Sequence, residues 1–103
     1  MRGLSAVTEA LLGMSLMLLG VVGGLLLNDW GFFQACVGAS YFLGFFRQDK
    51  PPRYREMHLL GAISFGGLAL HNWGLVGGGI GLLCLAVSLY VVCWFFKELV
   101  PNS

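Results

Sequence analysis

Gly23-Gly24-Leu25-Leu26-Leu27-Asn28-Asp29-Trp30-Gly31 and Gly66-Gly67-Leu68-Ala69-Leu70-His71-Asn72-Trp73-Gly74 decide the fold, because the second repeats the first at an offset of 43 residues with six identities in nine positions. In each stretch an apolar run ends at polar residues and a Trp-Gly pair, and another apolar run follows. The reading is a duplicated helical hairpin in which both copies enter a membrane from the same side, a parallel repeat about an axis along the membrane normal. Two independent Trp-Gly turns at a membrane interface are the plainer alternative.

Composition supplies the membrane. The chain has 103 residues, 57% apolar and 11% charged, which leaves too little polar surface for a soluble domain of that size. A bilayer core of roughly 30 Å takes about 20 apolar residues per helix, so the apolar runs allow four crossings, with three as the fallback. The first helix is expected from Ser5, a cap for the free N–H groups of the first turn, to Leu27. It lacks a small-x-small cleavage pattern, and its apolar run exceeds that of a signal peptide, so it is read as a retained helix. A shorter helix follows from Phe32 to Phe46. Pro51-Pro52 blocks its continuation and suits the first turn of a third helix, whose apolar part is Leu59 to Leu70. The fourth is expected from Gly74 to Phe96.

The expected fold class is therefore an all-α integral membrane protein. It is a single membrane domain of residues 1–103, with four transmembrane helices in two tandem hairpins. The first hairpin covers about 4–47, a basic loop covers 47–57, and the second hairpin covers about 52–97.

Charge fits this topology. In the four-helix arrangement Arg2, Arg47, Lys50, Arg53, Arg55 and Lys97 all fall on one side, whereas three helices scatter them. The positive-inside rule then puts both termini on the cytoplasmic side of a bacterial inner membrane, or on the matrix or stromal side of an organellar inner or thylakoid membrane. Trp30 and Trp73 are expected as anchors at the outer interface, and Trp94, with Tyr54, Tyr90, Phe95 and Phe96, at the inner one.

Small residues recur four apart at Gly20 and Gly24, Ala35 and Ala39, Ala62 and Gly66, Gly74 and Gly78, and Gly77 and Gly81. Such spacing lets helix backbones approach closely, either within this bundle or against other membrane subunits. Helix four, with Gly77, Gly78, Gly79 and Gly81, offers more small surface than three short neighbours can use.

Glu9 is the acidic residue inside an apolar stretch, which by default marks an ion or proton site. Its position a turn inside the first helix also suits a structural carboxylate paired with Arg2, Arg53 or Arg55. Small four-helix multidrug transporters of similar length carry a glutamate in their first helix too, but the rest of this sequence departs from theirs. His58 and His71 lie thirteen residues apart on helix three, ~20 Å along its axis. With no further histidine, bis-His haem is excluded within one chain, leaving single-ligand haem or chlorophyll, or histidines bonded to water and headgroups. Cys36, Cys84 and Cys93 form no CxxC pair and read as small buried thiols.

With a net charge of +1 and no basic run interleaved with aromatics, nucleic acid is not an expected partner. No nucleophile stands beside a base and no phosphate loop follows a strand, so the chain is not expected to be an enzyme, and no cofactor or metal is expected. The leading expectation is a non-catalytic small accessory subunit of a larger membrane complex, of the respiratory or photosynthetic kind, packed through its Gly/Ala faces. Its alternatives are a small homo-oligomeric transporter or channel using Glu9 and Gln34, and a pigment- or haem-binding subunit using His58 or His71.

Overall fold

The computed structural model describes residues 5–99, which form four α-helices and no strand. These are α1 (Ala6–Leu27), α2 (Trp30–Phe45), α3 (Pro52–Asn72) and α4 (Gly78–Leu99). Two of them, α1 and α4, are long and apolar enough to cross a membrane. With 16 residues, α2 spans ~24 Å. The first turns of α3 carry Arg53, Arg55 and Glu56, which dilute its apolar run.

Local chemistry sets the boundaries. Ser5 has extended backbone and its hydroxyl accepts the Thr8 N–H at 3.1 Å, capping α1 as expected. The α1–α2 turn uses two residues. Asn28 takes the left-handed conformation (φ 51°), and the N–H groups of Asn28 and Asp29 return to the carbonyls of Leu25 and Gly24, closing the helix. Asp29 then caps α2 by accepting the Phe32 N–H at 3.3 Å.

That tight turn corrects the expected start of the second helix from Phe32 to Trp30. The duplicated motif is read differently in its two copies. Trp30-Gly31 opens α2, whereas Trp73-Gly74 closes α3: Gly74 adopts φ 76°, its N–H meets the His71 carbonyl, and the Leu75 N–H meets that of Leu70. A left-handed Gly74 cannot begin a helix, so α4 starts at Gly78 rather than Gly74, after the turn of Leu75, Val76 and Gly77.

Each helix packs on its neighbours in sequence, α1 on α2, α2 on α3 and α3 on α4. Within the described residues α1 and α4 do not meet along their backbones. Glycines make these approaches close. A Cβ on Gly20 would lie 2.8 Å from the Cβ of Cys36, and one on Gly24 would lie 3.3 Å from that of Phe33. Between α2 and α3, Gly38 faces the Ala62 carbonyl and the Gly66 N–H, Gly61 lies under the Tyr41 ring, and Gly44 lies under His58. Between α3 and α4, Gly67 faces Cys84 and Gly81 faces His71. Val91, Ala69 and Ser64 are the most deeply buried side chains of the core.

Of the glycines singled out by spacing, Gly20, Gly24 and Gly81 thus sit at contacts inside the chain, as does the backbone of Gly66 beside Ala62. Gly74, Gly77 and Gly78 border open space.

The two hairpin turns are tied together at one end of the bundle. The Trp73 indole N–H donates to both carboxylate oxygens of Asp29 at 3.0 Å, its ring covers Gly31, and the Asn72 amide donates to Gln34. Trp73→Phe keeps the ring and removes the donor. The expected loss is about 1.5 kcal/mol of stability, the low end for a bond to a charged group because Asp29 can be rehydrated. Denaturant titration of the purified chain in mixed micelles measures it.

Candidate functional site

At the opposite end, α1 and α4 stand apart, and a cavity of about 870 Å³ opens between them, floored by α2 and α3. Its walls are largely apolar: Ala10, Gly13, Met14 and Met17 from α1, Phe33 and Val37 from α2, Phe65 from α3, and Val92, Phe95 and Phe96 from α4. Polar groups gather at one end, where Glu9, Arg47, Tyr54 and His58 line the same space.

Arg47 organises that end. It follows Phe46, the residue that ends α2, and its side chain is 6% exposed. One guanidinium nitrogen donates to Glu9 of α1, and Nε and Nη2 form a bidentate pair with Asp49 at 2.7 and 2.8 Å. The Tyr54 hydroxyl, from the first turn of α3, donates to Glu9 at 3.1–3.2 Å, so three segments meet on one carboxylate. Such charge-assisted bonds are what permit a carboxylate and a guanidinium to leave water together.

The same contacts fix the ionisation of the loop. Arg47 holds the Asp49 carboxyl down to about 2, chiefly through their hydrogen bonds, and Asp49, followed by Glu9, raises the guanidinium above its ordinary range. Because the Asp49 value is lowered, its contribution is present above the ordinary aspartate range and is lost only as pH falls towards about 2. The bidentate pair is therefore intact at every physiological pH.

This corrects the expected partners of Glu9. Arg55 donates instead to the Phe45 carbonyl at 3.1 Å, closing the C-terminus of α2, and Arg53 reaches Tyr90 at 3.5 Å. Arg2 lies outside the described residues.

His58 is 4% exposed and not at a wet interface. Its Nδ1–H donates to the Tyr54 carbonyl at 2.9 Å, and its ring stacks on Tyr54 with centroids 4.0 Å apart. Tyr41, Trp94 and Phe95 surround it at 5.6–6.4 Å, and Gly44 covers the remaining face. His71 sits at the other end of α3, exposed, with Nδ1 3.4 Å from the Val76 carbonyl. The structure does not bring the two histidines together, nor Glu9 with Gln34, which is held by Asn72 at the far end. Trp94 packs near Tyr54 at the charged end, while Trp30 is exposed at the other.

Among the described residues no three His, Cys, Asp or Glu side chains gather in a way that holds a metal ion. Cys36 is buried, Cys84 half-buried and Cys93 exposed, each a free thiol. Sequence reasoning missed Arg47 as a site residue, having placed it with the surface charges. The available signal was its position, directly against the apolar run ending at Phe46 and one residue before the rest of the polar cluster. It missed Tyr41 as well, which no local pattern marks. Comparison with family models, curated protein sequences and solved structures finds no match.

Proposed function

We propose that this chain spans a membrane four times and serves as a non-catalytic accessory subunit of a larger membrane complex, packing through the outer faces of α1 and α4. The observation that carries the reading is the exposure of those helices. Leu18, Leu26, Leu82 and Leu83 are 65–81% exposed, on helices that each pack against a single neighbour. A monomer in water does not sustain apolar surface on that scale, whereas lipid and partner helices both cover it.

One-sided charge supports the crossing. Among the described residues every Lys and Arg lies at the Arg47 end or in the adjoining last turn of α4, and the Trp73 end has none. By the positive-inside rule the Arg47 end faces the cytoplasm, matrix or stroma. Open space at Gly77, Gly78 and Gly79 suits close approach by a partner helix.

The transporter reading draws on Glu9 lining the cavity. Its pairing with Arg47 and Tyr54 at the charged end favours a structural carboxylate instead, so Glu9→Gln is expected to leave assembly and flux unchanged and to cost only a little stability. In proteoliposomes, cation or proton flux through the wild-type chain that disappears in Glu9→Gln reverses this preference.

The main test is a native gel of a mild-detergent extract, on which the chain is expected to migrate with a large assembly. Migration alone as a small homo-oligomer overturns the subunit reading. Topology has its own test: cysteines placed at Asp29 and Asn72 are expected to label from outside, and one at Lys50 only after permeabilisation. Labelling of Asn72 and Lys50 from one side refutes four spans. The corresponding site at Asn102 lies outside the described residues.

A further inference from the structure

We infer that the cavity between α1 and α4 holds one uncharged, hydroxyl-headed, single-chain amphiphile drawn from the bilayer, with its head at Glu9 and its chain along Met14, Met17, Phe33 and Val37. The inference rests on the membrane reading above and adds a ligand to it.

Size selects the occupant. A transmembrane helix, taken as a cylinder about 10 Å wide and about 30 Å long, fills roughly 2,400 Å³. The cavity holds about 870 Å³, too little to take in a partner helix or a helix of a second copy whole, and within the roughly 300–1,000 Å³ of small-molecule sites. From Ala6 to Met17 its α1 wall runs ~16 Å, so the space is long and narrow, the shape of a single chain.

The polarity gradient sets the orientation. Glu9, Arg47, Tyr54 and His58 close one end, and the rest is lined by apolar side chains with Ser40 and Tyr41 among them. In the proposed topology that polar end lies at headgroup depth and the opening between α1 and α4 faces lipid, so an amphiphile enters sideways without leaving the bilayer.

Charge selects the head. The charged groups at that end, Glu9 and Asp49 against Arg47 and Lys50, whose ammonium lies 5.2 Å over the Tyr54 ring, sum to zero, so neither an anionic nor a cationic head gains a net counter-charge there. A cationic head has to approach the Arg47 guanidinium to reach Glu9. Tyr54 spends its one proton on Glu9. What the end still offers is acceptor capacity on the Glu9 carboxylate and the two Arg47 N–H groups outside its bonds to Glu9 and Asp49, which a neutral hydroxyl, donor and acceptor at once, satisfies.

Gly13 supplies a clean test. It lines the cavity, and a Cβ there meets nothing within 4 Å, so Gly13→Leu fills the space without clashing. The full chain, purified in mild detergent, is titrated with 1-monooleoylglycerol, oleic acid and oleylamine, and bound molecules are counted by native mass spectrometry. The expected result is one saturable monooleoylglycerol per chain, with oleic acid and oleylamine at least tenfold weaker. Gly13→Leu is expected to abolish the adduct at an unchanged or higher thermal midpoint. Equal binding of all three amphiphiles, adducts without saturation, an unaltered adduct in Gly13→Leu, or cross-linking that places a second copy in the cavity each overturns the inference. The head-group series on the wild-type chain decides the matter even where the variant fails to fold. Failure of the membrane reading is scored separately, by release of the chain from membranes in alkaline carbonate.

Discussion

Arg47→Leu is expected to destabilise the chain by about 3–5 kcal/mol, the usual penalty for removing one partner of a buried ion pair. The size follows from what stays behind. Glu9, with its side chain 15% exposed, keeps only the Tyr54 hydroxyl, since Arg55 is committed to the Phe45 carbonyl and the Lys50 ammonium lies over the Tyr54 ring without bonding the carboxylate. The converse change is milder. In Glu9→Gln the guanidinium retains its bidentate Asp49, and the glutamine oxygen still accepts from Tyr54 or Arg47, so a loss of about 1 kcal/mol is expected. Combining the two substitutions removes the stranded carboxylate and is expected to recover most of the Arg47→Leu loss. Denaturant titration in mixed micelles of the wild type, both single variants and the double variant closes the cycle. An additive double variant shows that the two groups do not interact energetically.

The second large effect concerns two glycines at the same interface that respond with opposite sign. A methyl group on Gly44 runs into the ring and Cβ of His58, whose Cβ lies 2.9 Å away. The ring is wedged among Tyr54, Tyr41, Trp94 and Phe95 and cannot swing aside, so α2 and α3 must part. Overpacking of this kind costs about 1–3 kcal/mol, and Gly44→Val is expected at or above the top of that range. Gly66→Ala, in the middle of α3, meets nothing within 4 Å and is expected to stabilise by about 0.5–1 kcal/mol through helix propensity. Thermal midpoints of the two purified variants read both signs. A Gly44→Val variant as stable as the wild type removes the evidence that His58 is packed as described.

The contrast marks where sequence reading stops. Helix number and the capping and breaking residues were legible because their chemistry is local: Ser5 at the start of α1, Asn28-Asp29 at its end, and Pro51-Pro52 before α3. The start of α4 was misplaced because the same Trp-Gly pair opens one helix and closes another. The choice depends on whether an aspartate precedes it as a cap or its own glycine turns left-handed.

Spacing found Gly20, Gly24 and Gly81, but it cannot say what a glycine faces. Gly38, Gly44 and Gly61 were not flagged, since the backbone or ring that each accommodates belongs to another helix. Glu9 was recognised, but Arg53 and Arg55 were offered as partners and Arg47 was not, for the same reason. Arg47 is 38 positions away in sequence, and only the packing of α1 on α2 puts it within reach.

Opening of this bundle must be graded. In the order α1, α2, α3, α4 the outer helices have one supporting surface each and the inner pair has two. Amide protons of α2 and α3 are therefore the slowest to exchange with solvent deuterium, and those of α1 and α4 leave at lower free energy, as separate units of local unfolding. The Asp29–Trp73 tie pins the two hairpin turns to each other, while the far ends are joined through Glu9 and a few aromatic rings. The walls of the cavity belong to the two most mobile helices, so whatever occupies it should slow the exchange of α1 and α4 while leaving the inner pair as it was.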